Sequence, residues 1–239
     1  MATPSALALE QLRQVSVATL ATALFKRGLR NQVIQDVRPL KQRDQNMVGP
    51  AFTLRYIPAR EDRNQLSEFL NPQHPQRQAI EQCPQGHVLV MDSRKDARAA
   101  SAGDILISRL MMRGAAGVVT DGGFRDSMRI AELDIASYHN RPSSPTNLTI
   151  NEALDINVPI GCGDVAVFPG DIIVGDNDSV IVIPAALADE VAAEATDMTA
   201  YEDFVLEQVN MGTSIIGLYP CTMDQHKDAF EDWRKKNSR

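Results

Sequence analysis

Two short stretches of this chain carry residue types that could do chemistry together, Gly103-Asp-Ile-Leu106 and Asp121-Gly-Gly-Phe-Arg-Asp126. The first reads as a turn that opens a helix, where the leading N–H groups lack acceptors within the helix and make a natural anion site. Glycine at its head lets a ligand come close to that backbone. Arg125 adds a cation able to grip a carboxylate or enolate through two N–H groups. Asp126 adds a hard oxygen of the kind Mg²⁺ and Mn²⁺ prefer. These parts suffice to hold a small carboxylate against a divalent metal. Each stretch also has a plainer reading, Asp104 answering the helix dipole and Arg125 paired with Asp126 at a helix start. The combination favours a site, because one helix N-terminus, one Arg and one Asp converge if the preceding strands are neighbours. Ligand sites in α/β folds gather beyond the carboxyl ends of strands.

The elements that must position these residues alternate. A short apolar strand within Gly86–Asp92 precedes a helix over 103–113, and a second strand over 115–120 precedes a helix near 125–133. Strands apolar on both faces, alternating with helices, predict a parallel or mixed α/β core. Upstream, Leu7–Arg27 has a helical rhythm in which Ser16 caps a second helix running to Lys26, with Gly28 as its stop. Val48–Tyr56 reads as a turn followed by a strand, residues 59–77 as an exposed polar excursion, and 138–147 as a loop. From Ile150 to Ile183, Val and Ile runs broken by Gly and Asp turns predict short antiparallel strands. Pro184 opens a helix from Ala185 to about Asn210. The charged tail, with Phe230 and Trp233 three apart, allows a short amphipathic helix docking on a neighbour, or a loose end.

The remaining chemical side chains carry weaker patterns. His87, inside an apolar strand, reads as a core residue, while His74, His139 and His226 sit in polar contexts without ligand spacing. Met111-Met112 reads as packing. Gly170-Asp171 and Asp176-Asn-Asp178 fit turn chemistry, since EF-hand spacing is absent. There is no GxSxG, Walker A or dinucleotide-binding glycine pattern. Cys83, Cys162 and Cys221 are odd in number and far apart, which argues against a disulfide framework and a zinc site. A net charge of −7, with scattered Lys and Arg, argues against nucleic acid or an anionic membrane as partner. With no leader pattern and no apolar run of membrane-spanning length, a cytoplasmic protein is expected. At 239 residues the chain has room for a single domain, residues 1–239, with its core over about 15–184 and a helical extension over 185–239.

At Val48-Gly-Pro-Ala-Phe-Thr-Leu54, Gly103-Asp-Ile-Leu106, Arg113-Gly-Ala-Ala-Gly-Val-Val-Thr-Asp-Gly122, Arg125-Asp126 and the run Pro169–Pro184, the chain resembles the RraA-like family. That family includes the class II pyruvate aldolases acting on 4-hydroxy-4-methyl-2-oxoglutarate and 4-carboxy-4-hydroxy-2-oxoadipate. The resemblance implies a compact α/β/α fold with a mixed central sheet, assembled as a homotrimer or homohexamer with the active site at a subunit interface. It implies that Asp126 binds Mg²⁺ or Mn²⁺ and that Arg125 contacts the 2-oxo oxygen of the substrate. The backbone at Asp104, Ile105 and Leu106, after Gly103, is implied to hold the substrate carboxylate; the base expected to take the C4 hydroxyl proton is a metal-bound water or a water held by Asp104. A Glu from the C-terminal helix of an adjacent subunit approaches the metal site, with Glu202 the best match and Asp203 close by. Two positions depart from the aldolase pattern: Arg129 and Thr22 stand where acidic residues are usual. An added cation at Arg129 is therefore expected to touch the substrate and alter its choice. The expected activity is cleavage of a 4-hydroxy-2-oxo acid to pyruvate, with oxaloacetate decarboxylation on the side. The rivals are a regulator that binds an RNA-processing endonuclease, like the namesake of the family, and a lyase on a sugar-derived 2-oxo acid.

Overall fold

Apolar residues on both faces of the central strands require cover on both sides, and this decides the architecture. The structure is a computed structural model describing residues 3–239. In chain order the first strands are β1 (Val33–Ile34), β2 (Arg38–Pro39), β3 (Met47–Pro58), β4 (Val88–Asp92) and β5 (Ala100–Ala102). Then come β6 (Gly117–Thr120), β7 (Gly123–Phe124), β8 (Ala136–His139), β9 (Arg141–Pro142) and β10 (Asn151–Ile156). The last four are β11 (Ile160–Cys162), β12 (Val165–Val167), β13 (Ile172–Gly175) and β14 (Val180–Ile183). The helices are α1 (Ala6–Leu12), α2 (Val17–Lys26), α3 (Pro75–Gln82), α4 (Asp104–Met112), α5 (Ser127–Glu132), α6 (Ala188–Asn210) and α7 (Asp224–Asn237).

The main sheet has nine strands in the order β1-β14-β13-β3-β4-β6-β8-β2, with β10 added to β3. Its centre, β3-β4-β6-β8, is parallel, and its flanks are antiparallel. The two edge strands β1 and β2 are consecutive in sequence and separated only by residues 35–37, so the sheet must curl until its edges nearly meet. Side chains alternate accordingly along β4: Val88 and Val90 enter the enclosed core with Ile160, Cys162, Val165 and Val167 of the β11–β12 hairpin. Leu89 and Met91 face outward beneath α3, α4 and α5. The outer face of β13 and β14, through Ile172, Val174, Ile181 and Ile183, is covered by α1, α2 and α6. Each such side chain, fully removed from water, contributes about 1.5–3 kcal/mol.

The helix ends follow the sequence. Ser16 accepts the Thr19 N–H at 3.1 Å, and Gly28 takes φ +82° just past α2. Other expectations are corrected. Gly49-Pro50 is no turn but lies inside the long strand β3, where a Cβ at Gly49 would fall 2.4 Å from the Gly86 carbonyl oxygen. The glycine is there for close approach of the backbone. Within the loop expected over 138–147, Tyr138 and His139 end the buried strand β8. The excursion over 59–77 ends in α3, opened by Pro75 at its first turn. His87 is only half-buried, ahead of β4, whereas His74 and His139 are buried. Phe230 and Trp233 find their partner within the chain: their rings lie 5.5 and 6.0 Å from that of Phe204 on α6. The three cysteines are free, and among the described residues no helix is long and apolar enough to cross a membrane.

Candidate active site

The two chemical stretches are brought side by side by a small parallel sheet that the sequence does not announce. β5 leads into Gly103 and β7 into Arg125, and the two strands pair Ala100 with Gly123 and Ala102 with Phe124. The Arg125 N–H donates to the Ala102 carbonyl at 2.9 Å, which fixes Arg125 beside Gly103. Gly122-Gly123 is required for this pairing. A Cβ at Gly122 would fall 2.7 Å from Ser101 Oγ, and one at Gly123 would fall 2.5 Å from the Ser143 Cβ. Beneath lies a buried hydroxyl cluster in which Ser101 Oγ is 2.7 Å from both Ser93 Oγ and Thr120 Oγ1. Asp121 faces away from the site. Its buried carboxylate accepts from the N–H groups of Ser93, Lys95 and Gly163 at 2.7, 3.0 and 3.0 Å, tying together the loops below. Burial pushes the Asp121 carboxyl above its ordinary range, and those three N–H groups oppose the shift.

Beyond the ends of β5 and β7 opens a pocket of about 310 Å³ lined by Gly103, Asp104, Ile105, Leu106, Arg125 and Asp126. The first N–H of α4 with a partner in its own helix is that of Ile107, 3.1 Å from the Gly103 oxygen. The Ile105 N–H turns to the Asp104 carboxylate at 2.8 Å, so the expected backbone cradle is partly closed by the side chain of Asp104. Asp126 stands at the N-cap of α5 in the left-handed region, φ 55° and ψ 35°, and its side chain makes no capping bond. Asp tolerates this conformation better than most residues. Here it aims the carboxylate toward Gly103, where Oδ2 lies 3.5 Å from the position of an added Cβ.

The Asp126 carboxylate has no hydrogen-bond or ion-pair partner among the described residues, and no group of three His, Cys, Asp or Glu gathers anywhere among them. The unengaged Asp126 carboxylate is a hard oxygen ligand of the kind that suits Mg²⁺ or Mn²⁺, which keep several waters, and a single such ligand does not fit a closed zinc site.

The pocket thus unites Gly103, Asp104, Ile105, Leu106, Arg125 and Asp126, and leaves Arg129, Glu202, Asp203 and Thr22 outside its lining. Arg129 is 78% exposed on α5 and donates from Nη1 to Asp104 Oδ2 at 3.2 Å, so it reaches the site through Asp104. Glu202 accepts from Thr19 Oγ1 at 2.7 Å, and Asp203 pairs with Arg239, both on α6 and away from the pocket of their own chain. Thr22 is exposed and donates to its own helix at Ala18. Sequence reasoning missed a further wall made by Phe69, Gln76, Arg77, Thr146 and Asn147. Pro75 followed by Ala79-Ile80 is the signal that could have revealed α3. Nothing in the spacing of 69–77 or 146–147 announces their approach to Gly103.

The pattern of these parts is shared. A family model described as RraA-like, Aldolase/RraA, matches residues 17–182. A protein of Halalkalibacterium halodurans named "Putative 4-hydroxy-4-methyl-2-oxoglutarate aldolase" is 31% identical over 193 residues, covering 81% of this chain and 84% of its own. Among solved structures, Streptomyces coelicolor RraAS2, described as an unusual member of the RNase ES inhibitor RraA protein family, has a TM-score of 0.75 at 28% identity. The match covers 85% of this chain and 98% of that one. A Pseudomonas syringae protein of TM-score 0.77 and 21% identity shares the fold. The family match runs from the first residue of α2 into β14 and takes in every strand end that builds the pocket, so the chain belongs to the RraA-like family.

Proposed function

We propose that this chain is a divalent-metal-dependent lyase that cleaves a 4-hydroxy-2-oxo acid into pyruvate and a carbonyl product. The observation that carries the reading is the convergence of the α4 N-terminus, Arg125 and the unengaged Asp126 carboxylate on one pocket. The aldolase name of the Halalkalibacterium relative supports it. Asp126 would hold Mg²⁺ or Mn²⁺, which supplies Lewis-acid polarisation of the 2-oxo group. The Asp104 and Leu106 N–H groups that open α4, which the Asp104 carboxylate leaves free, bind the substrate carboxylate, favoured by the helix dipole. Arg125 donates to the 2-oxo oxygen, and its attraction grows as negative charge develops there, so it favours the transition state over the bound substrate. Asp104, held by Arg129 and by the Ile105 N–H, is the carboxylate placed to hold the water that takes the C4 hydroxyl proton. The C3–C4 bond then breaks, its electron pair enters the pyruvate enolate, and protonation at C3 yields pyruvate. Oxaloacetate loses CO₂ to give the same enolate and needs no hydroxyl deprotonation, so decarboxylation is expected as a side activity.

The reading includes a homotrimer or homohexamer in the cytoplasm in which Glu202 of one copy approaches the pocket of another. Pyruvate release from a series of 4-hydroxy-2-oxo acids, with Mg²⁺ and after EDTA, tests the chemistry. Turnover that requires the metal and collapses in Asp126→Asn supports it, and full turnover by metal-free protein overturns the metal's part. Light scattering that finds an active monomer would remove the shared site. The Streptomyces neighbour, described within a family of RNase inhibitors, supports a second reading as a protein-binding regulator. Absence of pyruvate release from every substrate, together with inhibition of an RNA-processing endonuclease, would favour it.

A further inference from the structure

The pocket contains a second cation to which the reaction above gives no task. Arg77, on α3, lines the same 310 Å³ space as Arg125 and Asp126. Its Nη1 is buried without a hydrogen-bond partner. Arg27, Arg109 and Arg129 have carboxylate partners at 2.5, 2.8 and 3.2 Å. No carboxylate among the described residues lies within ion-pair distance of Arg77, although Asp104 and Asp126 share its pocket. The Arg77 guanidinium carbon sits 4.5 Å from the centroid of the Phe69 ring, another pocket residue. That contact with the ring face holds the cation in place, and a guanidinium has the forked donors that suit a carboxylate or phosphate. The neighbouring polar groups are already engaged: Gln76 Nε2 donates to the Ser101 carbonyl at 2.5 Å and lies 3.4 Å from Asn147 Oδ1. A buried donor left without an acceptor is unfavourable by about 1–3 kcal/mol, and more when charged.

We infer that Arg77 is a specificity-determining residue that receives a second anionic group, a carboxylate or a phosphate, on the part of the ligand not held by Arg125 and the α4 N-terminus. The inference rests on the pocket being a 2-oxo acid site. It moves substrate choice from Arg129, where the sequence pointed, to a residue that lines the pocket.

Calorimetric titration of the Mg²⁺-loaded protein with three uncleavable ligands tests this: 2-oxobutyrate, 2-oxoglutarate and 4-phospho-2-oxobutyrate. The intact protein should bind one of the two ligands that carry a second anionic group at least about tenfold more tightly than 2-oxobutyrate, the scale of a charge-assisted bidentate contact. Which one wins distinguishes carboxylate from phosphate. In Arg77→Gln the preference should collapse to within about twofold while 2-oxobutyrate binding is kept, and Arg77→Lys should restore part of it. Phe69→Ala, which removes the stacking platform and leaves the charge, should weaken the preference to an intermediate value. An intact protein without preference, an Arg77→Gln variant that keeps it, or an equal loss for all three ligands would overturn the inference. The last result would assign Arg77 to folding or to a contact with another copy of the chain. Pyruvate release assayed in parallel separates the two readings. A preference that depends on Arg77 without any pyruvate release overturns the lyase and leaves the subsite standing. Pyruvate release with the preference intact in Arg77→Gln does the reverse.

Discussion

In the proposed lyase Arg125 and Gly103 act on the same ligand in different ways, and substitutions should separate them. Arg125→Ala would remove the charge contact that this mechanism strengthens as the enolate forms, so kcat/KM should fall by about 2–4 kcal/mol, with the loss mainly in kcat. Lysine should rescue only part, being a point charge without the planar fork. A near-normal rate in Arg125→Ala would place the chemistry elsewhere. Gly103 has φ −127°, a conformation open to any residue, and an added Cβ would meet Arg125 Cβ and Asp126 Oδ2 at an ordinary 3.5 Å. Gly103→Ala should therefore fold normally. The methyl occupies the space by which a ligand reaches the α4 N-terminus, so KM should rise about tenfold, the order expected for a lost charge-assisted hydrogen bond. An unchanged KM would mean that the ligand does not approach that backbone. Arg129 lies outside the pocket's lining and donates to Asp104. Its removal should slow aldol cleavage, for which the proposed mechanism uses Asp104, more than oxaloacetate decarboxylation, and equal losses would contradict the role given to Asp104.

Elements with local signals were legible in the sequence, and those defined by tertiary approach were not. Ser16 and Gly28 bracket α2 because capping is a matter of three or four neighbouring residues. The Val-Ile runs around Asp176-Asn-Asp178 marked the β13–β14 hairpin because Asp176 Oδ1 accepts the N–H groups of Asp178 and Ser179 within its own turn. β5, β7 and β9 are two or three residues long and exist by pairing with one another, so no periodicity could reveal them. The site divides the same way. Gly103, Arg125 and Asp126 were readable as chemical types at strand ends, whereas Arg77 and Asn147 enter the pocket from distant segments whose approach depends on the whole core. The C-terminal extension is a further case. α7 docks on α6 through Phe230 and Trp233, and Trp233 Nε1 donates to Glu207 Oε2 at 2.7 Å. That in-chain docking accounts for the two aromatics without a neighbouring subunit. Phe230→Ala should lower stability by about 1–2 kcal/mol, less than a fully buried Phe, because Phe230 is half-buried. Urea unfolding checks this, and proteolytic nicking over residues 211–223 should rise in step. An unchanged midpoint would show that α7 contributes no net stability to the chain.

At the scale of the whole molecule, two buried histidines predict sensitivity to mild acid. His139 closes β8 with its ring stacked on Phe124, centroids 5.4 Å apart, and its Nδ1 is buried without a partner. Burial alone pushes its pKa down to about 4, from an ordinary 6.5. His74, at the start of α3, is also shifted down, first by burial and then by Arg77, with Glu68 and Glu152 opposing. The unfolded chain therefore takes up protons near pH 6.5 while the folded chain does not. Stability is fully present above that pH and is lost as pH falls toward the folded values. For His139 the loss should reach about 2 kcal/mol by pH 5 and stop growing below about pH 4. Asp121 and Asp171 act in the opposite sense: burial raises both, so the folded chain takes up their protons first, and the offset begins only as pH approaches the carboxylate range. Carboxylates held low by cationic partners, such as Glu194 beside Lys26 and Arg27, lose their contribution lower still. The window between pH 6.5 and 5 thus belongs to the histidines. Urea midpoints measured across it should fall steadily in the intact protein. His139→Phe, which keeps an aromatic ring against Phe124 and removes the titrating nitrogen, should flatten much of the slope. A midpoint constant from pH 6.5 to 5 would mean that both imidazoles accept protons within the fold as readily as in water.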